Sequence, residues 1–386
     1  MFNVTKNPRT NSLEPFFVFL VHIDKMGDRM HHIKKLEKLP PKREKVETIE
    51  ILRQLSKSSK ALGELKGIAQ TMPNQAMLIN AVVLQEAKDS SEIENIITTQ
   101  DELYKALATT KNQPQQVKEV INYRRAIISG HELLRKQGFL RLKDIELLQK
   151  TIIENNAGIR TIPGTVLKNN ATGEIVYTPP QEKDEILVLL SNFLEHFNIA
   201  QDTFPPLINL AILHYQFESI HPFYDGSGRT GRILNILYLI INDLLDIPIL
   251  YLSSYINENK SEYYRLLNNV NKSDEWEAYI LYMLKAIESI SNRTISKINR
   301  INKLLSETIK LAQNKEPKIY RKELIELLFE QPYSKIEFVV EKLNVERKAA
   351  SRYLKKLESI GIVRSQKVGR ESIFVNEKLI EVLKKQ

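Results

Sequence analysis

The sequence predicts a mainly α-helical protein, interrupted by one small β-hairpin and ending in a winged helix-turn-helix unit. Three observations lead there. Apolar residues recur at three- and four-residue spacing through most of the chain. Only between Ile159 and Pro180 does the pattern change to two short β-prone runs around turn residues. The last stretch, 317–386, combines three amphipathic helical segments with a short β-prone end and a basic excess.

Size and composition set limits before any motif is read. A chain of 386 residues, 42% of them apolar, fits two or three domains with real cores. It holds no cysteine, which excludes disulfides and thiolate metal sites and points to a reducing compartment, so a cytoplasmic location is expected. The apolar run Phe16–Ile23 is stopped by Asp24 and lacks a small-residue cleavage site, so neither a membrane span nor a signal peptide is expected. The net charge of +9 is concentrated at one end: residues 301–386 carry 19 Lys and Arg against 12 Asp and Glu.

Taken in order, residues 1–45 mix Pro, Asn, Lys and His and read as a loosely held arm, with Pro40 and Pro41 preventing a continuous helix. Residues 46–114 form an N-terminal helical region. Ile51, Leu52, Leu55, Leu62, Leu65 and Ile68 define its first helix and Met77–Ala87 a second. Next, Ser90 followed by Glu92 and Glu94 reads by itself as a helix N-cap with acids in the first turn. Thr98 and Thr99 prepare a further start at Asp101.

A core is expected over 115–290. It opens with helical spacing to residue 158 and continues through the hairpin TVLKNNATGEIVYTPP, then helices at Asp184–Phe197 and Pro206–Glu218. After Arg232 the run ILNILYLIINDLL is apolar nearly all round, which suits a central buried helix. Helices near Glu258–Asn268 and Trp276–Lys310 follow, with 291–316 as a linker helix. In the final unit, 317–386, Arg347, Lys348, Arg352, Lys355 and Lys356 stud the third helix, and Arg364, Lys367 and Arg370 flank a wing turn at Gly369. Such a helix can enter a DNA groove, although Glu337, Glu341, Glu346, Glu358 and Glu371 dilute the charge and a protein-docking role is the alternative.

The chemistry is concentrated in His221–Arg232, HPFYDGSGRTGR. Gly226 and Gly228 around Ser227, just before a helix, make an anion-binding nest at a helix N-terminus. Arg229 offers a planar fork to phosphate oxygens, and Arg232 lies on the same face about one turn later. Asp225 offers one oxygen ligand to Mg2+, which combines few carboxylates with substrate phosphates. His221 can accept a hydroxyl proton near neutral pH.

This stretch resembles the signature of the Fic family, HxFx(D/E)GNGRxxR. The resemblance implies that His221 is the general base, that Asp225 holds Mg2+, and that Gly226, Ser227, Gly228 and Arg229, with Thr230, Gly231 and Arg232, bind ATP. Ser227 departs from the family's usual Asn. The absence of Lys at Gly228 separates the motif from the related Doc-type kinases, so AMP transfer to a Ser, Thr or Tyr hydroxyl of a protein is the implied reaction, with AMP removal by the same site as the alternative. Over roughly residues 40–290 the resemblance continues. EAKDSSEIENI is similar to the family's inhibitory helix, (S/T)xxxE(G/N), met by Ser90, Glu94 and Asn95. This displaces the N-cap reading and implies a bidentate Glu94–Arg232 pair that keeps ATP unproductive. Ile175, Val176 and Tyr177 correspond to a flap that pairs with the target by strand addition, and Asn235 and Tyr263 to nucleoside contacts. A further alternative is a DNA-binding regulator whose Fic core acts mainly on itself; a homodimer and DNA are further partners considered, a membrane is not.

Overall fold

The computed structural model describes residues 18–22, 35–109, 113–169, 173–199, 204–368 and 371–384. Val18–His22 forms strand β1. The remainder of the expected N-terminal arm before residue 35 lies outside the described residues. After a short helix α1 (Arg43–Val46), Thr48 caps α2 (Ile49–Ala69) by accepting from the Ile51 N–H at 3.3 Å. Helix α3 (Gln75–Ile93) is capped by Asn74 and runs longer than its apolar pattern suggests. A reciprocal Thr99–Glu102 capping box starts α4 (Gln100–Ala108).

The stretch expected to be helical to residue 158 divides into α5 (Gln115–Gln137) and α6 (Leu142–Ile153). Gly138, at φ 74°, ends the first by sending its N–H to Leu134 O at 2.8 Å. Strands β2 (Thr165–Asn169) and β3 (Ile175–Tyr177) form the expected hairpin. They are not alone: β1 pairs antiparallel with β2, from Val18 opposite Asn169 to His22 opposite Thr165, giving the order β1-β2-β3. Part of the supposed arm is therefore a sheet strand, a pairing across more than 140 positions that local pattern cannot reveal.

Helices α7 (Lys183–Asn198), α8 (Pro206–Ile220) and α9 (Ser227–Ile241) follow. Nearly every position of α8 and α9 is buried, as their all-round apolar character demands, so they form the centre of the molecule. Helices α10 (Leu252–Glu258) and α11 (Lys260–Ser273) lead into α12 (Trp276–Lys315), whose 40 residues pass residue 290 unbroken. No helix end thus marks the expected step from core to linker. Helix α2 packs along α12, where Ser58 Oγ donates to Leu284 O at 2.8 Å.

The C-terminal unit contains α13 (Lys322–Glu330), β4 (Tyr333–Lys335), α14 (Ile336–Leu343), α15 (Arg347–Ser359), β5 (Arg364–Val368), β6 (Glu371–Val375) and α16 (Glu377–Lys384). Tyr333–Lys335 is the third strand of an antiparallel sheet ordered β4-β6-β5. Gly369 and Arg370, at the expected wing turn, lie outside the described residues. This unit rests against the N-terminal region. Tyr333 stacks on Tyr104 with ring centroids 5.4 Å apart, and Asn80 Nδ2 donates to Glu330 O at 3.3 Å. No helix among the described residues is long and apolar enough to cross a membrane.

Candidate active site

Helix α8 ends by placing His221 in the left-handed region, φ 47°, with its N–H on Phe217 O at 3.0 Å. The chain then turns through Pro222–Asp225 and re-enters a helix at Gly226. There φ is 82° and an added Cβ would lie 2.9 Å from Ile153 Cγ1, so both conformation and the approach of α6 require glycine. Gln149 fastens the turn by donating to Asp225 O at 3.0 Å. Ser227, expected in the phosphate nest, turns its hydroxyl inward: it accepts from Phe223 N at 3.0 Å and donates to Phe223 O at 3.2 Å. Only its backbone N–H remains at the helix N-terminus.

Both motif arginines are buried. Arg232 is 3% exposed; its Nε donates to Ser90 Oγ at 2.7 Å, and Nη2 donates to Ser90 O at 3.0 Å and Glu94 Oε1 at 2.8 Å. The expected bidentate carboxylate pair is therefore single-pronged, with Ser90 taking Nε and sharing Nη2. An added Cβ at Gly228 would stand 2.5 Å from Glu94 Oε1 and 3.0 Å from Arg232 Nη1, so this glycine makes room for the pair. Burial pushes the Glu94 carboxyl up, yet the charge and hydrogen bond of Arg232 outweigh it and hold it below the usual carboxylate range.

Ser90 sits in the last turn of α3, not at a helix start, and Glu94 is its C-cap. Asn95, at φ 61°, supplies the left-handed residue after it: Asn95 N–H reaches Glu92 O and Ile96 N–H reaches Ser91 O, both at 3.0 Å. That is a Schellman C-cap, and it gives a physical reason for Gly or Asn after the glutamate.

Arg229, 2% exposed, is engaged by Glu119 at 2.9 Å and Asp225 at 3.0 Å, so its fork meets carboxylates here. Asp225 keeps its side chain 62% exposed at the start of α9. Among the described residues no three His, Asp or Glu side chains cluster as a metal group. A Mg2+ ion fits this arrangement, since it binds through one or two carboxylates plus phosphate oxygens and water.

The imidazole of His221 is pushed down to about 4, first by burial and next by the nearby Arg160 charge; Glu94, the Glu218 backbone and Asp225 pull the other way. The ring is thus neutral at physiological pH, as a proton acceptor must be.

Asn235 and Tyr263 face the core. Asn235 Nδ2 meets His214 Nδ1 at 3.0 Å and Tyr263 OH meets His214 Nε2 at 2.8 Å. Its neighbour Tyr264 instead lines a cavity with Val176, Tyr177, Glu218, His221 and Leu267. In the flap, Ile175 is 50% exposed and Tyr177 OH donates to Ser219 O at 3.0 Å. β3 is the edge of its sheet, so the order β1-β2-β3 leaves it a side for a further strand.

Three residues of the site escaped the sequence reading: Glu119, Arg160 and Glu218. Glu218 lies against Gly231, where an added Cβ would fall 2.5 Å from its Oε1; burial raises its carboxyl to about 7 despite Arg232. No local pattern marks any of the three, since each is defined by a partner distant in sequence or one turn away on a helix that is apolar elsewhere.

The Fic/DOC family N-terminal model matches residues 52–132 and the Fic/DOC family model residues 139–239. The chain thus carries Fic/DOC family domains. A third model, the C-terminal domain of SoFic-like protein adenylyltransferases, matches residues 304–379 of this Fic/DOC chain. Similar proteins include the protein adenylyltransferase Fic of Aedes aegypti, 31% identical over 103 residues, covering 26% of this chain and 20% of that protein. A probable protein adenylyltransferase of Aquifex aeolicus is 29% identical over 177 residues, covering 45% and 52%. The chain thus spans between a fifth and about half the length of these relatives. Among solved structures, a Fic family protein from Desulfovibrio desulfuricans matches the fold with a TM-score of 0.54 at 17% identity, over 85% of this chain and 96% of that one. Fic-1 from C. elegans matches with a TM-score of 0.50 at 22% identity, over 64% and 72%.

Proposed function

We propose that this Fic/DOC protein transfers AMP from ATP to a Ser, Thr or Tyr hydroxyl of a target protein, and that Glu94 restrains it by holding Arg232. The observation that carries the reading is the neutral, half-buried His221 one turn of chain from a glycine-bounded helix N-terminus. The N–H groups at the start of α9 receive phosphate oxygens. Tyr264, Leu267 and Val176 supply the apolar cavity beside His221 for the base, in place of Asn235 and Tyr263. His221 accepts the target hydroxyl's proton as that oxygen attacks the α-phosphorus and pyrophosphate leaves. When bound at Asp225, Mg2+ supplies charge neutralisation of the phosphates. A target segment adds to the free edge of β3, which presents its hydroxyl to His221. The similarity of the chain to named protein adenylyltransferases supports the same reading.

The test is incubation of the Glu94→Gly variant with ATP labelled at the α- or the γ-phosphate. Auto-modification by the α-label alone is expected, well above wild type, and His221→Ala should abolish it while an ATP analogue still binds. Incorporation of the γ-label, or unchanged transfer in His221→Ala, would exclude the reading.

A second role is favoured by α15, where Lys348, Arg352 and Lys355 lie exposed on one face. We propose weak duplex DNA binding there. Anisotropy of a labelled duplex should show affinity that falls steeply with salt and is lost in Lys348→Glu/Lys355→Glu; no binding even at low salt would rule it out.

A further inference from the structure

Arg160 belongs to no motif, yet it is fully buried directly beneath His221. Its Nε donates to His221 O at 2.7 Å, and Nη2 donates to Ile220 O at 3.2 Å and to Pro180 O. Its backbone N–H donates to Pro222 O at 2.9 Å, beside a β-bridge between Ile159 and Phe223. The guanidinium therefore grips the carbonyls at the end of α8, where His221 stands at φ 47° and ψ 62°. A non-glycine residue persists in that region only when its surroundings over-determine it. Pro180 follows the flap strand β3, so one side chain joins the foot of the flap to the turn that carries the imidazole.

We propose that Arg160 is a positioning residue: it fixes the left-handed turn at His221 and holds the imidazole in register with the flap. The proposal rests on the reading of His221 as proton acceptor. Chemistry favours arginine here, because Nε and Nη2 between them reach three separate carbonyls, a spread of donors that the single ammonium of lysine cannot match. Its charge has a second effect. Among the groups facing His221, Glu94, Asp225 and the Glu218 backbone favour the imidazolium, and Arg160 is the cation that opposes them. Tyr177 and Tyr224 stand near Arg160 as phenols. The Arg160 charge thus adds to burial in lowering the imidazole.

Two variants of the full chain separate placement from charge. Arg160→Met removes both; Arg160→Lys keeps the charge and loses the fork. Histidine ring carbons, followed by NMR, report the titration of His221 without any need for turnover, and AMP transfer is followed in the Glu94→Gly background. In Arg160→Met the titration is expected to move from about 4 toward the ordinary 6.5. Arg160→Lys should leave it low while kcat falls about tenfold or more with KM for ATP unchanged, the sign of a misplaced group. An Arg160→Met chain with native circular dichroism, unshifted titration and kcat within about twofold of its parent overturns the proposal. Where Arg160→Met does not fold, Arg160→Lys decides: wild-type kcat overturns it, and the low kcat at unchanged KM supports it. A shifted titration with no AMP transfer in any variant would support the placement of His221 and overturn the proposed function instead.

Discussion

Ser227 shows how a single side chain sets the shape of the loop that precedes α9. Its hydroxyl both accepts from and donates to the backbone of Phe223, closing the turn that separates the base from the helix N-terminus. Ser227→Ala would leave the Phe223 N–H buried without a partner, a cost of about 1–3 kcal/mol. Chemical denaturation of the full chain should register a loss of that size, and a change within a few tenths would show that the hydroxyl adds little. The glycines on either side act differently. Gly226 serves its positive φ and the close approach of Ile153, whereas Gly228 clears space for Glu94 and Arg232. The spacing of the motif was legible because all its parts lie within twelve residues. The inward turn of the Ser227 hydroxyl was not, since its partner is a backbone group exposed only by the loop's own conformation.

At the scale of the element, the contacts of α3 with Arg232 lie in its last turn. Ser90 and Glu94 are four residues apart, so they share one helix face and meet the same guanidinium. Glu94 also stands at the C-terminal, negative end of α3, a position that disfavours a carboxylate. The pair with Arg232 offsets that penalty. Ser90→Ala removes one of three contacts and should raise auto-modification above wild type but below Glu94→Gly; equal activity in Ser90→Ala and wild type would show that Ser90 plays no part. Asn95→Gly should retain inhibition because glycine adopts the left-handed cap freely, whereas Asn95→Val should weaken it, since a β-branched residue resists that φ. Because Arg232 depresses the Glu94 carboxyl, the pair is fully formed above the ordinary carboxylate range and is lost only as pH falls through the depressed value. Inhibition should therefore hold across neutral pH.

For the whole molecule, the buried Glu86 ties α3 to α5 and α10. It accepts from Tyr123 OH at 3.1 Å, from Ser253 N at 3.3 Å and from Ser253 Oγ. Burial raises its carboxyl from 4.5 to about 8, against the pull of Ser253 and with the help of Asp89. The folded chain thus keeps a proton that the unfolded chain releases. This contribution to stability is complete below the unfolded value and is lost as pH rises through about 8. Glu86→Gln cannot ionise, so its melting temperature relative to wild type should climb between about pH 5 and pH 8; parallel curves for the two proteins would contradict a protonated Glu86. The same long-range logic joins the C-terminal unit to the N-terminal helices through Tyr333 and Tyr104, in a stack worth about 0.5–1.5 kcal/mol beyond its buried area.

The sequence by itself determined the helical class, the hairpin and the motif, because apolar period, turn residues and a run of twelve residues are local properties. Through resemblance it also pointed to the pairing of Glu94 with Arg232 across 138 positions. Only the tertiary structure decided the rest. It placed β1 beside β2, turned Tyr263 into the core and Tyr264 toward the cavity, set Glu119 against Arg229, and put Arg160 under His221. Adjacent residues on a helix point about 100° apart, so a pair of tyrosines carries no mark of which one faces the site. A buried charge is identified by the partners that neutralise it, and those are chosen by packing.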